Sequence, residues 1–215
     1  MIKKIVLATA LLATAANAEI QQKGFFVGVD FSKMKSDIKY ETSDGNVPAA
    51  FPYTGYDSTS SDSIPSLKVG YQYYFTRVYA RVNSYELEDT SRDKYKIKAK
   101  TYELNAEYIP VFYMSEKHSW DIRGIFGFGL GYSDAKITEG DIGLAPALST
   151  SFNDSQKNIE YGYQLGMMIE TDIGLSGELG YRYRTGNVIE FTDGQNNSTF
   201  MVKSREFYLG LNYLF

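Results

Sequence analysis

The last nine residues, Phe207 to Phe215, alternate with period two. Counting back from Phe215, residues Tyr213, Leu211, Leu209 and Phe207 share one face, while Asn212, Gly210, Tyr208 and, one step further, Glu206 share the other. This is a strand with one greasy face and one mixed face. A strand ending on an aromatic residue frays unless the sheet continues on both sides of it, so the segment points to closure into a sheet. A soluble edge strand is the competing reading of this segment taken alone.

Residues 1–18 read as a secretory signal peptide: Lys3 and Lys4, a short apolar stretch over residues 5–16, and the cleavage pattern Ala16-Asn17-Ala18. The apolar stretch is shorter than the roughly 20 residues a spanning helix requires. The expected mature chain is one domain, residues 19–215, more acidic than the formal −4 of the whole sequence. An acidic balance argues against a nucleic-acid partner, which needs clustered Lys and Arg. Without a single cysteine, the chain holds together by burial and backbone pairing.

The sequence holds 19 Tyr, 13 Phe and 19 Gly but one Trp, and strands with only one apolar face produce such a balance. Alternation recurs along the chain. Phe25, Val27, Val29 and Phe31 oppose Phe26, Gly28 and Asp30; Leu67, Val69, Tyr71, Tyr73 and Phe75 oppose Lys68, Gly70, Gln72 and Tyr74. Thr76-Arg77 reads as a hairpin turn into a strand carrying Val78, Ala80 and Val82. A strand over residues 95–112 follows, its early half kept out of hydrocarbon by Lys96, Lys98 and Lys100. Three more come before the closing strand, starting near Trp120, Asn158 and Ile173, the second and third joined by Thr171-Asp172.

Polar stretches at residues 36–63, 88–94, 133–157 and 186–198 read as loops, and the connections between them are short. Eight antiparallel strands therefore alternate long and short connections, as expected of an all-β up-and-down transmembrane barrel with both termini on one side. Ten strands fit if a long loop hides a hairpin. Aromatics near the strand ends form two girdles, Phe25, Phe75, Tyr108, Trp120, Tyr213 and Phe215 toward the turns and Phe31, Tyr132, Tyr161, Tyr181 and Tyr183 toward the loops.

Together these features resemble the small outer-membrane β-barrel family typified by the OmpA and OmpX transmembrane domains. The resemblance rests on architecture over residues 19–215, without a family-unique motif. It implies a bacterial outer-membrane location, contact with outer-membrane lipid and lipopolysaccharide, and assembly by machinery that reads Phe207, Leu209, Leu211, Tyr213 and Phe215.

The face away from lipid carries Asp30, Lys68, Arg81, Glu103, Glu107, Asp121, Arg123, Glu160, Glu178, Arg182, Arg184 and Glu206. An eight-stranded lumen is only just wide enough for side chains to fill. Arg81, Arg123 and Arg182 are expected to pair with Glu103, Glu178 and Glu206 and plug it; a narrow gated pore is the alternative. Catalysis is not expected. The single His118 falls in a turn, away from the outward rim where lipid- or peptide-cleaving barrels place a general base. Neither acidic loop, residues 57–62 or 134–141, matches a calcium-loop pattern, and no cofactor is implied. The loops are the better functional candidates: Tyr40, Phe51, Tyr53 and Tyr56 offer aromatic anchors for a host or cell-surface ligand. The expected role is structural or adhesive, by a monomer.

Overall fold

The computed structural model describes residues 23–42, 57–60, 64–88, 96–115, 117, 119–138, 155–193 and 196–215. His118, Phe51, Tyr53 and Tyr56 lie outside them, and so does the side chain of Tyr40. In chain order the strands are β1 (Lys23–Thr42), β2 (Asp57–Ser60), β3 (Ile64–Tyr73), β4 (Thr76–Glu88), β5 (Lys96–Tyr108), β6 (Val111–Met114), β7 (Trp120–Thr138), β8 (Ser155–Thr171), β9 (Leu175–Asp193) and β10 (Asn196–Leu214).

Ten segments make eight staves. β2 and β3 both pair with β1, the former at residues 35–38 and the latter at 23–32, so they are one stave interrupted. β5 and β6 likewise both pair with β7. The break between them falls at Ile109-Pro110, where Pro110 has no N–H to give a ladder. Its carbonyl accepts instead from Gly124 at 2.9 Å. All neighbours are antiparallel, and pairing of β10 with β1 closes the sheet into a barrel. Every stave thereby has two partners, which removes the edges.

The alternation sorts side chains by surroundings. Leu67, Leu104, Ile159, Leu179, Phe207 and Leu209 are all well exposed on the outer wall, and large apolar side chains cover that wall over the middle of the staves. Such a belt is far beyond what a water-soluble surface carries and fits a hydrocarbon environment. Phe25, Phe75, Tyr108, Trp120 and Phe215 stand exposed toward the turns, as the girdle reading requires. Tyr213 differs: it is covered, with the ring of Phe215 edge-on at 5.1 Å.

Two expectations need correction, and one is met. The β3–β4 turn is Tyr74-Phe75 and not Thr76-Arg77, because Tyr73 pairs with Thr76. Tyr74 takes a left-handed φ of 51° there and is exposed, so it does not face the lumen, whereas Arg77 does. The stretches 36–63, 133–157 and 186–198 are also less loop-like than they read. β1 stays paired with β10 up to Thr42 opposite Ser198, and β9 with β10 up to Asp193 opposite Asn196. At about 3.3 Å per residue, the part of β1 beyond Lys33 is about 30 Å long measured along the tilted strand. Finally, the additional segments β2 and β6 add no staves, so the count stays at eight.

Candidate functional site

Inward positions of neighbouring staves meet in register, and this sets which charges touch. Lys68 of β3 lies opposite Arg81 of β4, which lies opposite Glu103 of β5. Arg77 lies opposite Glu107, and Glu206 of β10 opposite Arg182 of β9. Lys68 and Arg81 are like charges side by side, an arrangement that costs energy unless an anion lies between them. Asp30 of β1 supplies it, 2.7 Å from Lys68 Nζ and 3.6 Å from Arg81 Nε, while Arg182 Nη2 approaches the same carboxylate at 2.6 Å.

From Asp30 the contacts run round the lumen without a break. Lys68 reaches Glu178 at 2.8 Å, Glu178 also accepts from Arg77, and Arg77 pairs with Glu107. Glu107 accepts from Tyr79 Oη at 2.6 Å and from Gln164, whose amide oxygen accepts from Arg182 Nε at 2.6 Å. Arg182 lies 3.7 Å from Glu206, which holds Arg184 and, at 3.1 Å, Arg81. Arg184 and Arg81 both reach Glu103, at 2.8 and 3.3 Å, and Arg81 returns to Asp30. Six staves contribute charges to this closed circuit. Its members are buried, so each charge has exchanged water for protein partners, the condition under which a buried ion is tolerated.

Five of the six residues expected to pair in the lumen, Arg81, Glu103, Glu178, Arg182 and Glu206, are joined here. Arg123 is not. It sits nearer the turns with Asp121 at 2.8 Å and Glu170 at 2.9 Å, and donates to the Tyr74 carbonyl at 2.8 Å. Gln72 donates to the same Glu170 at 2.9 Å, so this second cluster also spans the lumen. Between the clusters lie two apolar groups, Phe26 with Tyr79 and Leu214, and Ile109 with Ile125 and Met168. The tyrosines of the inner face complete the packing: the Arg182 guanidinium lies 3.6 Å from the centre of the Tyr208 ring.

Glycines make room for these side chains. A Cβ at Gly180 would lie 2.5 Å from the Tyr208 ring, and one at Gly210 would lie 2.5 Å from Asp30 Oδ1. A cavity beside β7 and β8, lined by Glu103, Asn105, Gln164 and Arg182, offers about 10 Å³, roughly the room of one water. Among the described residues there is no cluster of three or more His, Cys, Asp or Glu arranged to hold a metal.

On the outer wall, the assembly-signal positions Phe207, Leu209, Leu211 and Phe215 face outward, and the Phe215 amide donates to the Phe25 carbonyl at 2.8 Å, tying the end of the chain to its first strand. Of the loop residues, Tyr40 has a described backbone, opposite Phe200 in the part of the sheet beyond the belt.

Solved structures with the same architecture are outer-membrane proteins. Neisserial surface protein A covers 93% of this chain and is itself covered completely, at a TM-score of 0.53 and 17% identity. The outer membrane protein OprG from Pseudomonas aeruginosa matches over 89% of this chain and 97% of its own, at a TM-score of 0.50 and 13% identity. The outer membrane protein AlkL, determined in lipid bilayers, matches over 94% of each chain, at a TM-score of 0.51 and 15% identity. Such identities speak for the fold alone. No curated protein sequence matches significantly. A family model, the outer membrane protein beta-barrel domain, matches residues 5–215, nearly the entire sequence. The closed barrel agrees with that match, and the chain belongs to the outer membrane protein beta-barrel domain family.

Proposed function

We propose that this barrel is a closed, non-catalytic scaffold of the bacterial outer membrane that holds binding loops at the cell surface. The observation that carries this reading is the unbroken circuit of ion pairs across the lumen, from Asp30 through Glu178, Glu107 and Glu206 back to Asp30. Paired charges from six staves, set across an eight-stranded lumen that side chains can just fill, leave little room for a solute. The barrel's remaining capacity for function is then at its ends. The sheet continues beyond the belt on β1, β9 and β10 only toward the long connections, and rigid strands that carry loops into solvent suit binding. In this reading the turns face the periplasm, residues 1–18 are removed on export, and the side chains of Tyr40, Phe51, Tyr53 and Tyr56 belong to the binding surface.

The chain's lack of cysteine supplies the test. Ser60→Cys, in β2, is expected to react with a membrane-impermeant maleimide on intact cells, and Lys117→Cys, beside the turn after β6, only after lysis. Expression in a non-adherent Gram-negative host is expected to raise adhesion to cultured cells, and removal of residues 43–56 to abolish the gain. The reverse labelling pattern would overturn the orientation, and adhesion equal to that of the empty host would overturn the binding role.

A further inference from the structure

The lumen circuit is electrically balanced, and one buried acid on its loop side stands outside it. Asp30, Glu178, Glu107, Glu206 and Glu103 meet Lys68, Arg77, Arg182, Arg184 and Arg81, five acids against five bases. Glu160 of β8 is a further acid beside them, and it is buried. Its carboxylate accepts from the Ser133 hydroxyl and feels the charge of Arg184, but Arg184 already serves Glu103 and Glu206. Hydrogen bonds spread a charge without cancelling it. Among the described residues, this half of the lumen therefore keeps one net negative charge out of water, which is costly unless a cation balances it.

Neutral oxygens gather where that charge lies. Ser66, Asn83, Thr101, Ser133 and Asn158 stand opposite one another in register across five neighbouring staves, two residues from the circuit toward the long connections. Thr101 is fully buried and Asn83 nearly so, yet the Thr101 hydroxyl and both amide atoms of Asn83 have no hydrogen-bond partner among the described residues. Gly131 makes the room in which this layer meets the acids. A Cβ there would lie 3.3 Å from Glu103 Cγ and 3.5 Å from both Glu160 Cβ and Thr101 Cγ2. The water-sized cavity beside β7 and β8 is lined by Glu103, Gly131 and Glu160, and also by Tyr161 and Tyr183. It thus reaches the wall at the point where β8 and β9 part, beyond Tyr161 opposite Thr185, while each strand keeps its other neighbour.

We propose that Glu160, Glu103, the Thr101 hydroxyl and the Asn83 amide oxygen hold one monovalent alkali cation over Gly131. Carboxylate, hydroxyl and amide oxygens are hard donors and suit such an ion better than a soft metal. A single positive charge balances the count, whereas a divalent ion would leave an excess beside Arg184. Two carboxylates with neutral oxygens are enough for an ion of this charge. The cluster near the turns also has one acid more than it has bases, but there Gln72 donates to both oxygens of Glu170, at 2.9 and 3.1 Å. The site belongs to the plug and does not depend on what the loops bind.

The full chain, folded in detergent micelles free of alkali ions, is titrated with sodium chloride against choline chloride at constant ionic strength and followed by sodium NMR. The wild type is expected to broaden the sodium line saturably, and the temperature at which its compact gel mobility is lost is expected to rise with sodium. Glu160→Gln is expected to lose both effects, and Glu170→Gln to keep both. Thr101→Val removes a hydroxyl without a partner and keeps the side chain's shape, so it is expected to fold and to bind sodium several-fold more weakly; it decides if Glu160→Gln does not fold. Equal broadening by the wild type and Glu160→Gln, or undiminished binding by Thr101→Val, would overturn the site. So would an infrared carboxylic-acid band in the wild type at neutral pH and saturating sodium that disappears in Glu160→Gln, because a proton would then balance the charge. Displacement of sodium by far lower concentrations of calcium or magnesium would overturn the monovalent assignment.

Discussion

Lys68 and Glu178 are 110 residues apart in the chain and 2.8 Å apart in the lumen, joined through the barrel interior from β3 to β9. Their contact fixes the barrel's cross-section, because the staves between them run through the β1–β10 seam. Glu178 also serves Arg77 and accepts from Asn212 Nδ2 at 2.6 Å. Replacing it with alanine leaves two buried cations short of a partner, which is expected to cost about 3–5 kcal/mol. The double variant Lys68→Met/Glu178→Met is expected to lose less than Glu178→Ala. Urea unfolding from lipid vesicles measures both, and a Glu178→Ala variant as stable as wild type would contradict the account.

Gly180 and Gly177 share a strand but not a face. A methyl group at Gly180 meets the Tyr208 ring at 2.5 Å, whereas nothing lies within 4 Å of one at Gly177. Alanine at Gly180 is expected to destabilise by about 1–3 kcal/mol through overpacking. At Gly177 the same change is expected to be neutral or slightly stabilising, by up to about 1 kcal/mol. The boiling temperature at which each variant loses its compact gel mobility ranks them.

Leu104 and Lys100 stand on the same outward face of β5, both exposed, four residues apart. Hydrocarbon should distinguish them sharply. Leu104→Arg places a charge in the belt and is expected to cost about 2–4 kcal/mol in vesicles, while Lys100→Arg is expected to change nothing measurable. Equal effects would mean that the belt does not face lipid.

The last residue is expected to act in assembly more than in stability. Phe215→Ser keeps the amide bond to Phe25 and removes only an exposed ring. In cells, the heat-modifiable form is expected to appear several-fold more slowly, while the refolded variant stays within about 1 kcal/mol of wild type, the cost expected of one surface change. Normal assembly kinetics would leave the alternation at Phe207, Leu209 and Leu211 without its proposed reader.

The barrel was legible because neighbouring residues along each strand meet different surroundings, so Leu67, Val69 and Tyr71 against Lys68, Gly70 and Gln72 state the two faces directly. Where lipid ends, that contrast ends while backbone pairing continues. This is why the ribbons of β1, β9 and β10 beyond the belt read as loops. Arg77 was placed in a turn for a local reason. Tyr74 adopts its left-handed conformation without the Gly or Asn that normally marks such a position. Which charges face the lumen followed from phase, but who meets whom did not. The grouping of Arg123 with Arg81 fails because β7 presents Arg123 to Asp121 and Glu170, and the bond from Lys68 to Glu178 depends on which side chains meet across the lumen, which no local pattern encodes.

Conductance tests the central claim most directly. The full chain, reconstituted in planar bilayers at neutral pH, is expected to pass no stable unitary current, because the circuit through Asp30, Glu178, Glu107 and Glu206 fills the lumen. Steps of reproducible conductance from the wild-type protein would contradict the plug, and the narrow channel would become the better account of what this barrel does.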